Sequence, residues 1–196
     1  WNNLGMHCYN PDFQDFAVLP PYNTLWAQVF KVGDPPQVVT GGITVEYRFS
    51  DNTYSVGKTN FWKYARQLFS LQQDLPPNIG LTGKGLSGTM DLDANTGDHF
   101  VAEGIPLTEY NDNDKKLRNP SPYQLAEITV RDESSRAILV QTMAVAPVSS
   151  ELNCINCHAD DGDATMKYAE DPLSGQPPFK STGRVETNIL ALHDYL

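Results

Sequence analysis

The residues that most constrain this chain are Cys154-Ile155-Asn156-Cys157-His158. They read C-x-x-C-H, the covalent attachment signature of haem c. Two thiols that add to the two vinyl groups of one porphyrin must lie on the same side of the backbone. One helical turn, about 3.6 residues, brings positions three apart onto one face. His158 then lies under the ring, where its imidazole binds iron as the proximal ligand. Ser149 or Ser150 is placed to cap such a turn, and Glu151 suits a helix N-terminus.

Two other readings compete for the same cysteines. Cys8, Cys154 and Cys157 with one histidine would make a Cys3His zinc set, which would be structural in a β-sandwich binding module. A thioredoxin-like redox pair needs a βαβ context, and none surrounds the motif. The histidine directly after the second cysteine favours haem c, and on that reading Cys8 is left as a small buried hydrophobe. No run of about eighteen apolar residues exists, so no membrane span is expected. The net charge of −10 argues against a nucleic-acid partner, which needs a basic face. The chain begins at Trp1, as a processed protein would.

Fourteen prolines and fourteen glycines suit a turn-rich β protein better than a helical bundle. Residues 1–23 show no clean period and read as an aromatic-rich lead-in broken at Asn10-Pro11 and Pro20-Pro21. Residues 24–32 read as a strand. Ile43, Val45, Tyr47 and Phe49 alternate with polar residues and give the clearest half-buried strand. A short strand is expected at 53–56. A helix is expected over 60–69, with Asn60 as N-cap and Phe61, Ala65, Leu68 and Phe69 on one face. Further alternation at 86–92 and 126–130, and the apolar run 137–146 after the turn Asp132-Glu133-Ser134-Ser135, predict strands, the last two as a hairpin. The fold class is mainly β: an antiparallel β-sandwich-like domain over residues 1–147 with one short helix, then a helical and loop haem-binding segment over 148–196. Within that segment 159–183 reads as a loop. Thr187–Leu196 reads as a helix with Ile189, Leu192, His193 and Leu196 on one face, and its pattern stops without a cap, as if the native chain continued.

An iron atom with His158 on one side has a second axial position. His193, on the expected apolar face of the C-terminal helix, is the first candidate and His7 the second. His99 and the methionines Met6, Met90, Met143 and Met166 follow. Two imidazoles give a low-spin iron with no room for substrate, hence an electron carrier rather than an enzyme. An open position would instead make a haem enzyme or a gas or redox sensor, in which Arg184 or Asn156 could matter. Arg184 and Lys180 could also neutralise haem propionates. Asp91, Asp93 and Asn95 place oxygens at positions 1, 3 and 5, as in a calcium loop, but Gly97 and Glu103 each fall one place late, and a β-turn explains the pattern better. Trp62 and Tyr64 read as core aromatics before sugar binders.

Two stretches carry a resemblance. LGMHC (Leu4–Cys8) with PYNTLWAQV (21–29), and PVSSELNCINCH (147–158), resemble a family of bacterial c-type cytochromes. In that family a β-rich N-terminal part precedes C-x-x-C-H motifs, and a segment like NILALHD (Asn188–Asp194) comes before another such motif. The resemblance implies a multihaem cytochrome of the cell envelope or exterior, passing electrons between haems. Haem c is attached outside the cytoplasm, so it also implies a periplasmic or extracellular home. The partners implied are redox proteins, other haems or copies of the chain itself. This chain has one C-x-x-C-H, so a multihaem conductor would require further chain or an assembly.

Overall fold

The structure, a computed structural model, describes residues 7–10, 12–13, 19–150 and 157–196. It divides at Ser150/Glu151 into two compact units. In chain order the strands of the first are β1 (His7–Cys8), β2 (Asn23–Ala27), β3 (Phe30–Lys31), β4 (Gln37–Val38), β5 (Ile43–Phe49), β6 (Ser87–Thr89), β7 (Asp91–Leu92), β8 (Phe100–Ile105), β9 (Tyr123–Asp132) and β10 (Ile138–Ser149), with helix α1 (Phe61–Leu68) between β5 and β6. The second unit holds helices α2 (Asp163–Glu170) and α3 (Val185–Tyr195). The protein is mainly β, with antiparallel sheets and short helical segments.

One sheet runs β1-β10-β9-β5-β6 and a second runs β2-β8-β7, while β3 and β4 form a separate ribbon. All pairings are antiparallel except β1 with β10, where His7 lies beside Val148 and Cys8 beside Ser149. The alternation in β5 is realised, with Val45, Tyr47 and Phe49 buried. These join Leu25, Phe100, Ala102, Ala126, Ile128, Val130, Ala144 and Ala146 in one core fed by both sheets. Burial of that apolar surface is the main force holding the sheets together. A second cluster forms around α1, where Phe61 meets the Phe13 ring edge-on at 5.3 Å and Trp62 at 5.1 Å.

Several sequence expectations are corrected here. The strand expected over 24–32 stops at Ala27, and Phe30–Lys31 pairs instead with Gln37–Val38. No strand forms at 53–56. The backbone donors there go to side chains: Thr53 N to the Asp112 carboxylate, Ser55 N and Val56 N to Asn78 Oδ1. A ladder cannot use a donor that a side chain already holds. The strand expected at 86–92 is two, β6 in one sheet and β7 in the other, with buried Met90 between them donating its N–H to Val45 O at 2.8 Å.

Asn60 sits at the N-cap position of α1 without capping it. Its side chain instead accepts from Phe13 N at 2.9 Å and donates to Asp12 Oδ1 at 2.6 Å. Strand β10 continues through Pro147 to Ser149. Strand β8 was not expected from the sequence. Its alternation is broken by Gly104, which has φ +76° and lies where a Cβ would stand 2.4 Å from Thr82 Oγ1. Only glycine satisfies both demands. The span 159–183 is not all loop, because α2 lies within it.

Candidate functional site

Cys157 and His158 are helical, at the start of the described part of the second unit. Cys157 is exposed and its thiol is free. His158 is half-buried, and its Nδ1 is enclosed without a hydrogen-bond partner among the described residues. Cys154, Glu151 and Asn156 lie outside the described residues, as does Met6.

The backbone after the histidine doubles back tightly. Gly162 N donates to Ala159 O at 2.9 Å. A Cβ on Gly162 would stand 2.6 Å from both the carbonyl carbon and oxygen of Cys157, and 2.9 Å from His158 N. Backbone meets backbone at that point, so nothing flexible can give way. Gly162 then serves as the N-cap position of α2, with Asp163 in the favourable first turn.

Asn188, on α3, holds this turn from the other side. It is fully buried and every polar atom of its amide is used. Its Nδ2 donates to His158 O at 2.8 Å and to Asp160 Oδ1 at 2.9 Å. Its Oδ1 accepts from Thr182 N at 2.7 Å and Thr182 Oγ1 at 2.8 Å. Asp160 Oδ1 also accepts from Gly183 N at 3.1 Å. The Asn188 hydrogen bond, then that of Gly183, outweighs burial and holds the Asp160 carboxyl below its ordinary pKa. Elsewhere in the unit the Tyr195 ring lies tilted against Tyr168 and edge-on to Phe179, while its hydroxyl donates to Pro177 O and accepts from Leu173 N.

The face of α3 differs from the expectation. Asn188 and Leu192 form its buried stripe, and the His193 side chain is 87% exposed, with Nδ1 3.5 Å from Asp194 Oδ1. Leu196 is exposed as well. A helix buries positions four apart, and Asn188 takes the place the sequence pattern gave to an apolar residue. His7 is described in its backbone only, as part of β1.

The remaining candidates have other partners. His99 in the first unit stacks on Trp26 with centroids 4.7 Å apart, and its Nδ1 meets Asp98 Oδ1 at 2.8 Å. Met90 is in the core, while Met143 and Met166 are exposed on their own units. Asp91 pairs with Lys84 at 2.6 Å, and Asp93 closes its own turn by accepting from Asn95 N and Thr96 N. Among the described residues no group of three or more His, Cys, Asp or Glu side chains could hold a metal ion; the zinc set includes Cys154, which lies outside them. Cys8 is half-buried in β1. Lys180 and Arg184 are exposed, Arg184 at the N-cap position of α3. Trp62 donates its indole N–H to Ile79 O at 2.9 Å and packs on the α1 cluster, as does Tyr64.

The turn that Ser149 or Ser150 is expected to cap lies outside the described residues. Ser149 ends β10, and Ser150 gives both its N–H and its hydroxyl to the buried Glu109 carboxylate. Burial, and next the Glu109 charge, push the neighbouring Tyr9 hydroxyl well above its ordinary pKa. Sequence reasoning missed Glu109, Gly162 and Asn188. Only Asn188 left a signal there, a polar residue four before Leu192 on the face where α3 is buried.

No protein-family profile, no curated protein and no solved structure matches this chain. The fit to a covalently bound haem therefore rests on the residues themselves. An exposed thiol beside an imidazole whose Nδ1 is sealed from solvent has the chemistry of that donor set. Nδ1 has no hydrogen-bond partner among the described residues, and it is the nitrogen from which a metal-ligating histidine ordinarily donates to an outer-shell acceptor.

Proposed function

We propose that the chain is a c-type cytochrome electron-transfer module. Cys154 and Cys157 would hold one haem c by thioethers, His158 would be its proximal ligand, and His193 or His7 would be its distal ligand. A haem c held in this way supplies a one-electron iron couple. The residues' task is to keep the ligand fixed, so that gain and loss of an electron require little rearrangement. The tight backbone at Gly162 and the Asn188 clamp on His158 O suit that task.

The observation that carries the reading is the poverty of the second unit. Among its described residues only Phe179 and Leu192 are buried apolar side chains. So small a described core is marginal for a unit of this length, and natural domains of its size commonly add disulfides, a structural metal or oligomerisation. The C-x-x-C-H motif lies in that unit. An exported location, periplasmic or extracellular, follows from haem c chemistry, and the partners would be redox proteins, other haems or copies of this chain. Exposed His193 is available to a haem beyond its own unit.

The test is a visible spectrum of the protein expressed with a haem-attachment system, oxidised, reduced, and then exposed to carbon monoxide. A low-spin haem c spectrum that ignores carbon monoxide is expected, with pigment lost in Cys157→Ala and the low-spin form lost in His158→Ala. Carbon monoxide binding would move the reading to a haem enzyme or sensor. A colourless protein containing zinc would end it.

A further inference from the structure

We infer that Asn188 is a positioning residue for the iron ligand His158, and that this is what α3 contributes to the site; the inference rests on the haem reading above. The argument is one of hydrogen-bond supply. The Asn188 amide offers two N–H donors and one carbonyl oxygen with two lone pairs. All four are spent, one on the peptide carbonyl of the ligand residue itself and one on the carboxylate two residues later. The other two are satisfied by Thr182, through its N–H and its hydroxyl. A fully buried asparagine costs stability unless every polar atom is paired, and this one is paired toward the motif.

The direction of the clamp matters. The His158 carbonyl fixes the peptide plane that follows the ligand and so the direction from which its side chain leaves the backbone. Gly162 packs against the peptide that precedes the ligand, where an added Cβ would stand 2.9 Å from His158 N. His158 is thus the residue whose backbone both elements grip. Outer-shell partners of a metal-binding histidine orient it and tune the metal. Here the orientation is imposed through the main chain, and Nδ1, the usual handle, has no partner among the described residues.

The experiment uses the full chain loaded with haem. Asn188→Leu keeps the branched heavy-atom skeleton and removes both donors. Thr182→Val removes only the hydroxyl that supports Asn188 and leaves the bond to His158 O. The inference expects Asn188→Leu to shift the low-spin electron paramagnetic resonance signal and the midpoint potential. It expects Thr182→Val to leave both unchanged while lowering the unfolding midpoint of the second unit. If Asn188→Leu does not accumulate, Asn188→Asp, which keeps the shape and loses the amide donors, is read in the same way. A red parent whose Asn188 variants keep its signal and potential would overturn the inference and leave the haem reading standing. Equal shifts in Asn188→Leu and Thr182→Val would reduce Asn188 to general support of the fold and overturn it too. A colourless parent would fell the haem reading itself.

Discussion

Lys58 carries its ammonium group inside the first unit, with the side chain 2% exposed. Nζ donates to Asn52 Oδ1 at 2.8 Å and Asp112 Oδ1 at 2.6 Å, and lies 4.2 Å from the centre of the Tyr54 ring. Burial works against the Asp112 charge, but hydrogen bonds from Lys58 and Thr53 outweigh it and lower the Asp112 pKa. Lys58→Met fills the space and leaves the Asn52 oxygen without its donor and the Asp112 carboxylate with those of Thr53 alone. The expected loss is about 1–3 kcal/mol, since the buried Asn52 oxygen is left unsatisfied while the half-exposed Asp112 carboxylate keeps solvent and Thr53. Urea denaturation measures it, and a change within about 0.5 kcal/mol would mean that solvent already satisfies both groups. Such polar interiors are hidden from a sequence reading. Lys58, Asn52 and Asp112 look like solvated loop residues there, and only the fold brings 52, 58 and 112 to one point. The same limit explains His193, placed on a buried face by its spacing, and Asn188, which took that face. Periodicity gives the pitch of a helix but not which polar residue finds partners inside.

At the scale of elements, the hairpin of β9 and β10 was legible because its turn carries its own chemistry. The Asp132 carboxylate accepts from Ser134 N at 3.1 Å, Ser134 Oγ at 2.7 Å, Ser135 N at 2.7 Å and Ser135 Oγ at 2.8 Å. These bonds, that of Ser135 N foremost, lower its pKa from 3.8 to about 2. A carboxyl whose pKa is depressed on folding contributes stability above the unfolded value and loses it as pH falls through the folded one. The turn should therefore keep its order at pH 5 and weaken as the pH drops from 3.8 to about 2. Carbon-detected titration of the side chain is expected to give a midpoint near the lower value. Asp132→Asn, which accepts the same bonds without a charge, should abolish that pH dependence in the Ser134 and Ser135 amides. A midpoint at the ordinary aspartate value would show that the turn does not hold the carboxylate. Strand β5 was equally legible, since each alternate residue faces one core. Strand β8 was not, because Gly104 interrupts the alternation for the sake of a close approach to Thr82. Helix α2 escaped for another reason: its only buried residue is Thr165, so it has no apolar stripe to reveal it.

The two units differ in what holds them, and that difference bears on the whole molecule. Apolar side chains from both sheets fill the core of the first. The second has Phe179, Leu192 and the amide of Asn188 at its centre. If haem supplies the missing core, the units should respond differently to its loss. All three tryptophans belong to the first unit, so their fluorescence reports that unit alone. In Cys154→Ala/Cys157→Ala protein, made without attached haem, the urea midpoint followed by tryptophan should stay at the value of the loaded chain. Amide exchange over residues 157–196 should meanwhile lose protection by on the order of a hundredfold, because ligand that binds only the folded unit stabilises it in proportion to its binding. The amides of His158 to Gly162 and of Asn188 are the ones to watch, since the clamp has value only while the turn is formed. Full protection there without haem would mean that the Asn188 network and the Tyr168, Phe179 and Tyr195 group sustain the unit by themselves. The poverty of its core would then no longer argue for a cofactor, and the haem reading would stand on the C-x-x-C-H motif alone.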